Sequence, residues 1–136
     1  MLIVQIDLMM VSWAIHRLNG ISCPANAAYS ASELAFQLQN SRAQCLFTCE
    51  ALLGTALEAA KIANIPTDRV YLCPVSGASP GTARALTGMK NLDDLISSGA
   101  DLPSLEEPQW TVGQGKRQVA FICYSSGTSG LPVSYI

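Results

Sequence analysis

The sequence predicts an α/β fold, a partial parallel sheet flanked by helices. Three observations point there. Between residues 20 and 73, short apolar runs alternate with helical patterns in the order strand, helix, strand, helix, strand, which is the signature of a parallel sheet with covering helices. The run Val119-Ala120-Phe121-Ile122-Cys123 is continuously apolar, as strands buried on both faces are. Apolar residues make up 49% of the chain and charged residues 13%, against about 25% charged in ordinary soluble domains, which argues against disorder and for a real core. At 136 residues the length suits one domain.

Residues 8–19 read as a helix, because Leu8, Val11, Ile15 and Leu18 recur at three- and four-residue steps. His16 and Arg17 fall in its last turn, and Gly20 stands where a left-handed residue would close it. His16 is expected to make a local hydrogen bond at the helix end. Gly20 to Pro24 is a compact strand candidate. Ser30-Ala31-Ser32-Glu33 has the spacing of a capping box, opening a helix that ends near Asn40-Ser41. Gln44 to Thr48 reads as a buried strand, Glu50 to Ala63 as an Ala- and Leu-rich helix, and Arg69 to Cys73 as another strand. Residues 73–117 are the irregular, loop-rich part, with one short helix between Met89 and Ser97 on which Leu92, Leu95 and Ile96 share a face. Residues 118–132 form a strand followed by a loop.

Charge and cysteine usage narrow the function. Eight basic and ten acidic residues leave a net charge of −2 with no basic cluster, so there is no footprint for nucleic acid. The apolar N-terminus is interrupted by Gln5 and Asp7 and has no basic leader, which argues for a core element over a signal or membrane span. Five cysteines without a C-x-x-C pair suggest neither a disulfide framework nor a zinc site; buried, reduced thiols in a cytoplasmic protein are expected.

The chemistry concentrates near the C-terminus, in Tyr124-Ser125-Ser126-Gly127-Thr128-Ser129-Gly130-Leu131-Pro132. Glycines allow close approach of the backbone, backbone amides can converge on an anion, and hydroxyls rotate to meet its oxygens. It is not a Walker loop, which needs G-x-x-x-x-G-K-[ST]. On residue types alone a Ser/Gly-rich bend is first of all a turn.

This stretch resembles the phosphate loop of the adenylate-forming enzymes, which include acyl- and aryl-CoA ligases, luciferases and peptide-synthetase adenylation domains. Their pattern is [YF]-[ST]-S-G-[TS]-[TS]-G-x-P-K-G, and Tyr124 to Pro132 fit it at nine consecutive positions. A second stretch, Trp13 to Asn26 continuing through Tyr29, Ser30, Glu33, Leu34 and Gln37, resembles the region upstream of that loop in 4-coumarate-CoA-ligase-like enzymes. The resemblance implies an incomplete slice of the large N-terminal domain. It also implies a two-step reaction: a carboxylate attacks the α-phosphate of ATP, giving an acyl-adenylate and pyrophosphate, and coenzyme A then takes the acyl group. ATP, Mg2+ and CoA are the implied cofactors. Ser125, Ser126, Gly127, Thr128, Ser129 and Gly130 are the implied holders of the β- and γ-phosphates.

Two departures weigh against independent catalysis. Val133 and Ser134 stand where the pattern has lysine and glycine. The family's adenine-, ribose- and acyl-binding motifs and its catalytic lysine have no counterpart in this sequence. The expectation is a chain that is inactive alone, whether a truncated or split gene product, with a non-catalytic interaction module as the alternative. Unpaired sheet edges and an uncovered apolar face are expected, to be covered by a second copy or by a homologous ligase. No catalytic residue is assigned: His16, Asp93, Asp94 and Cys123 form no recognisable nucleophile–base constellation, and Asp93-Asp94 suit the first turn of a helix.

Overall fold

The computed structural model describes residues 6–73, 88–106, 108–125 and 133–135. Helix α1 (Ile6–Arg17) is followed by α2 (Ala31–Asn40), β1 (Leu46–Thr48), α3 (Leu53–Ile62), β2 (Val70–Leu72), α4 (Leu92–Gly99), β3 (Cys123–Ser125) and β4 (Val133–Tyr135). Strands β1 and β2 run parallel, in the register Leu46↔Val70, Phe47↔Tyr71 and Thr48↔Leu72. Strands β3 and β4 form a separate antiparallel pair. Single parallel bridges join Ser22 to Phe121 and Leu72 to Asn91.

Helix α2 starts where its sequence dictates. Ser30 is extended and accepts from the Glu33 amide, while the Ser30 amide donates to Glu33 Oε2 at 2.8 Å. Each partner thus satisfies a donor that the helix cannot. Its face Leu34, Ala35 and Leu38 packs on Ala59 and Ala60 of α3, and Ile65 and Val70 close the cluster. Ala59 and Ala60 are fully buried, so their small side chains set how closely α2 can approach. Burying each Leu or Val here contributes about 1.5–3 kcal/mol.

Helices α1, α2 and α3 end the same way. Asn19, Arg42 and Asn64 take positive φ of 60°, 53° and 58°. The next amide reaches back five residues in each case: Gly20 to the Ile15 carbonyl, Ala43 to that of Leu38, Ile65 to that of Ala60. This is the Schellman closure, which satisfies the last carbonyls of a helix. The left-handed residue after α1 is therefore Asn19 and not Gly20. Gly20 is required for space: a Cβ there would lie 2.9 Å from Ile15 Cγ2 and 3.1 Å from the Ile15 carbonyl oxygen.

Several expected strands are shorter and more exposed than their apolar runs suggest. β1 covers only Leu46–Thr48 and is half-buried, with Cys45 exposed before it. Gly20 to Pro24 contributes one bridge, at Ser22. The run Val119–Cys123 is not an interior strand: residues 118–120 join no strand, Phe121 makes one bridge and is 43% exposed, and β3 begins only at Cys123. The physical reason is shared. A central parallel strand needs a neighbour on each edge and a helix on each face, and these segments have one neighbour or one bridge among the described residues. β2 shows the contrast: it has β1 on one edge and the Asn91 bridge on the other, and Val70 and Leu72 are each 1% exposed.

Uncovered apolar surface is extensive. Trp13, Leu18, Ile21, Leu102, Trp110, Val112 and Phe121 are all exposed. Leu18, expected on the buried face of α1, lies past its end and is 65% exposed. Cys49 and Cys73 are buried as expected, but Cys45 and Cys123 are exposed; none of the five cysteines is in a disulfide. Among the described residues no helix is long and apolar enough to cross a membrane.

Candidate functional site

The candidate phosphate loop is spanned by a hairpin. Strand β3 pairs with β4 in the register Cys123↔Tyr135, Tyr124↔Ser134 and Ser125↔Val133, so Ser125 and Val133 face each other across the ends of the seven residues between them. Ser125 is exposed at the end of β3. Ser126, Gly127, Thr128, Ser129 and Gly130 lie outside the described residues. The loop was expected to follow an interior parallel strand; it follows an exposed strand in an antiparallel pair instead.

The entry to the loop is tied down from two helices. Tyr124 donates its phenol hydrogen to Asn40 Oδ1, the last residue of α2, at 2.5 Å. Burial, and then the nearby Cys23 thiol, push the Tyr124 phenol above its usual value. Further back, the Ala120 carbonyl accepts from the Ser22 amide at 2.9 Å and from His16 Nε2 at 2.9 Å, while the Ile122 amide donates to the Ser22 carbonyl at 3.0 Å. The His16 ring also sits edge-on to Phe121, 4.7 Å between centroids. Its hydrogen bond therefore spans 104 residues and is not the local one expected at a helix end. Beside it, Arg17 donates Nη1 to the Glu106 carbonyl and Nη2 to the Leu105 carbonyl, each at 3.0 Å.

The other polar candidates have structural roles. Asn91 caps α4 by accepting from the Asp94 amide at 2.8 Å, and Asp94 Oδ2 accepts from the Asn91 amide at 3.0 Å. The acidic first turn is legible in the sequence, whereas Asn91 as its reciprocal partner emerges only from the fold. A shallow cavity of about 330 Å3 opens where α2 and α3 end, lined by Arg42, Asn64 and Arg69 among others. It lies at the chain entries to β1 and β2, away from the loop in sequence. Cys45 is exposed by its surface area, yet partial desolvation of its thiol raises its pKa, partly opposed by Arg69, so this cysteine is not an activated nucleophile. Among the described residues no group of three His, Cys, Asp or Glu gathers to hold a metal ion.

A family model for AMP-binding enzymes matches residues 4–132. The chain belongs to the AMP-binding enzyme family. Within this family it is 38% identical over 128 residues to the acyl-CoA ligase cm3C of Cordyceps militaris, covering 93% of this chain and 20% of that one. It is 35% identical over 125 residues to the acyl-CoA ligase easD of Emericella nidulans, covering 92% of this chain and 22% of that one. A red-emitting luciferase from Phrixothrix hirtus has the same fold over 96% of this chain and 24% of its own, with a TM-score of 0.70 at 18% identity. An ATP-bound chimera of RpMatB and BxBclM matches 94% of this chain and 22% of its own, with a TM-score of 0.59. The chain thus spans about a fifth of the length of the curated relatives it matches, and its fold is a partial slice of the adenylate-forming fold.

Proposed function

We propose that this chain carries the pyrophosphate-holding part of an acyl- or aryl-CoA ligase and does not adenylate a carboxylic acid by itself. The observation that carries the reading is the family match over residues 4–132, with 38% identity to an acyl-CoA ligase of which the chain spans 20%. The donor set fits a polyphosphate: three hydroxyl side chains at Ser126, Thr128 and Ser129, and two glycines, follow Ser125 at the end of β3. Their hydroxyls and amides would hold the β- and γ-phosphates and spread the charge of the departing pyrophosphate. Magnesium takes hard oxygen ligands and would be held largely by the phosphates and water. Binding of CoA is carried over from the acyl-CoA ligases it resembles, and a cytoplasmic setting fits five cysteines of which none is in a disulfide.

ATP titration of the full chain by calorimetry tests the loop. Saturable binding is expected, and Ser126→Ala with Thr128→Ala should weaken it. Val133→Lys restores the motif cation, and a charge-assisted bond of ~1.5–3 kcal/mol corresponds to tightening by about tenfold or more. Carboxylate-dependent pyrophosphate exchange by the purified chain would overturn the claim that it is inactive alone.

The exposed Trp13, Leu18, Ile21, Trp110 and Val112 favour a second reading, in which the chain is an interaction module that covers this surface with a homologous ligase or a second copy. Light scattering on the purified protein separates the cases, since a folded, monodisperse monomer that ignores a homologous ligase speaks against the module.

A further inference from the structure

The last turn of α1 ends in two adjacent side chains that reach far along the chain. Arg17 takes the carbonyls of Leu105 and Glu106, and His16 takes that of Ala120. Between them hangs a stretch whose only regular element among the described residues is the short 3-10 turn Gln114–Lys116. One helix end therefore grips this stretch near both of its limits.

The grip at Ala120 matters most for the loop. Ahead of β3, residues 118–120 join no strand, and Phe121 has only its bridge to Ser22. Two backbone hydrogen bonds make that bridge, one of them to the Ala120 carbonyl oxygen, and His16 adds a second bond to that oxygen, using its other lone pair. The bond requires the imidazole hydrogen on Nε2. The ring's edge-on contact with Phe121 fixes its plane as well. Three residues after Phe121, Tyr124 is held by Asn40, and one residue later the loop begins.

We propose that His16 is a positioning residue for the phosphate loop: by donating Nε2–H to the Ala120 carbonyl it fixes the lie of the segment that delivers Ser125, with Arg17 holding the far limit of the same stretch. The proposal rests on the reading that the loop takes ATP phosphates. A loop whose entry strand wanders must be ordered when the ligand binds, and that ordering is subtracted from affinity. His16 carries out this ordering in advance, without touching the ligand.

The test uses the full chain with His16→Ala, His16→Gln and His16→Asn. Gln presents an N–H near the reach of Nε2, whereas Asn presents one near that of Nδ1. Amide hydrogen exchange is followed at Ser22 and Ile122, and at Ala59 to Leu72 as an internal reference. ATP affinity is measured by calorimetry. His16→Ala and His16→Asn should speed exchange at Ser22 and Ile122 while leaving the reference unchanged, and weaken ATP binding by about tenfold, the equivalent of one hydrogen bond of typical strength. His16→Gln should restore both. Uniform acceleration at all amides, failure of Gln to restore, or unchanged ATP affinity in His16→Ala overturns the clamp. Absence of saturable ATP binding by the unmodified chain counts against the phosphate reading instead, and exchange alone then decides the clamp. Should His16→Ala not fold, the contrast between Gln and Asn carries the same comparison.

Discussion

Replacing Gly20 with alanine should loosen the end of α1 by a calculable amount. The added methyl would stand 2.9 Å from Ile15 Cγ2, inside the distance that carbon atoms tolerate, and 3.1 Å from the Ile15 carbonyl oxygen. Ile15 cannot turn its Cγ2 away cheaply, because a β-branched side chain in a helix has one strongly preferred rotamer. The carbonyl cannot move without weakening the 2.8 Å bond from the Gly20 amide that closes the helix. Overpacking of this kind costs ~1–3 kcal/mol. A loss of about 2 kcal/mol at a urea slope of ~2 kcal/mol/M lowers the unfolding midpoint by about 1 M. Urea melts followed by circular dichroism measure it. Ile15→Ala removes Cγ2 but leaves the carbonyl, so Gly20→Ala should cost less in that background, with a coupling of at least ~0.5 kcal/mol. An unchanged midpoint for Gly20→Ala, or simple additivity of the two changes, would refute the steric account.

Three further outcomes follow from the described geometry. Arg42 pays for a left-handed conformation that glycine adopts freely, so Arg42→Gly should stabilise by about 0.5–1 kcal/mol in the same melts, after the entropy of the new glycine is subtracted, and Asn64→Gly should gain less because Asn tolerates that region. The bonds from Ser30 hold the Glu33 carboxyl below its ordinary value of 4.5, so its contribution is complete above that pH and lost as pH falls through the lowered value; the melting-temperature gap between the unmodified chain and Glu33→Ala should be open at neutral pH and close well below 4.5. The Tyr124 phenol should titrate above 10.0 because it is partly buried near Cys23, as the difference in phenolate absorbance between the unmodified chain and Tyr124→Phe would report.

Helix signals were local, and they were the most legible part of the sequence. The Ser30–Glu33 box, the basic last turn of α1 and the acidic start of α4 appear where their residues stand in the chain. Strand burial was not local. Val119–Cys123 has the composition of an interior strand, but composition reports what a segment can bury and not which neighbours are there to cover it. The phosphate-loop stretch was legible as a nine-residue pattern, and the family match extends through it to residue 132. What fixes its entry was not legible. The partners of Tyr124 and Ala120 are Asn40 and His16, 84 and 104 residues away, and no spacing rule links residues across that distance. Left-handed Arg42 was equally hidden, since its conformation follows from the way α2 closes and not from its own preference.

The buried cluster that joins α2 to α3 draws its members from a single unbroken stretch, Leu34 to Val70. A nascent polypeptide can therefore assemble this nucleus as it leaves the ribosome, before the Ala120 carbonyl that His16 will grip has been synthesised. The amides slowest to exchange in the finished protein should lie inside that stretch, leaving the hairpin around the loop as the last part to settle and the first to open.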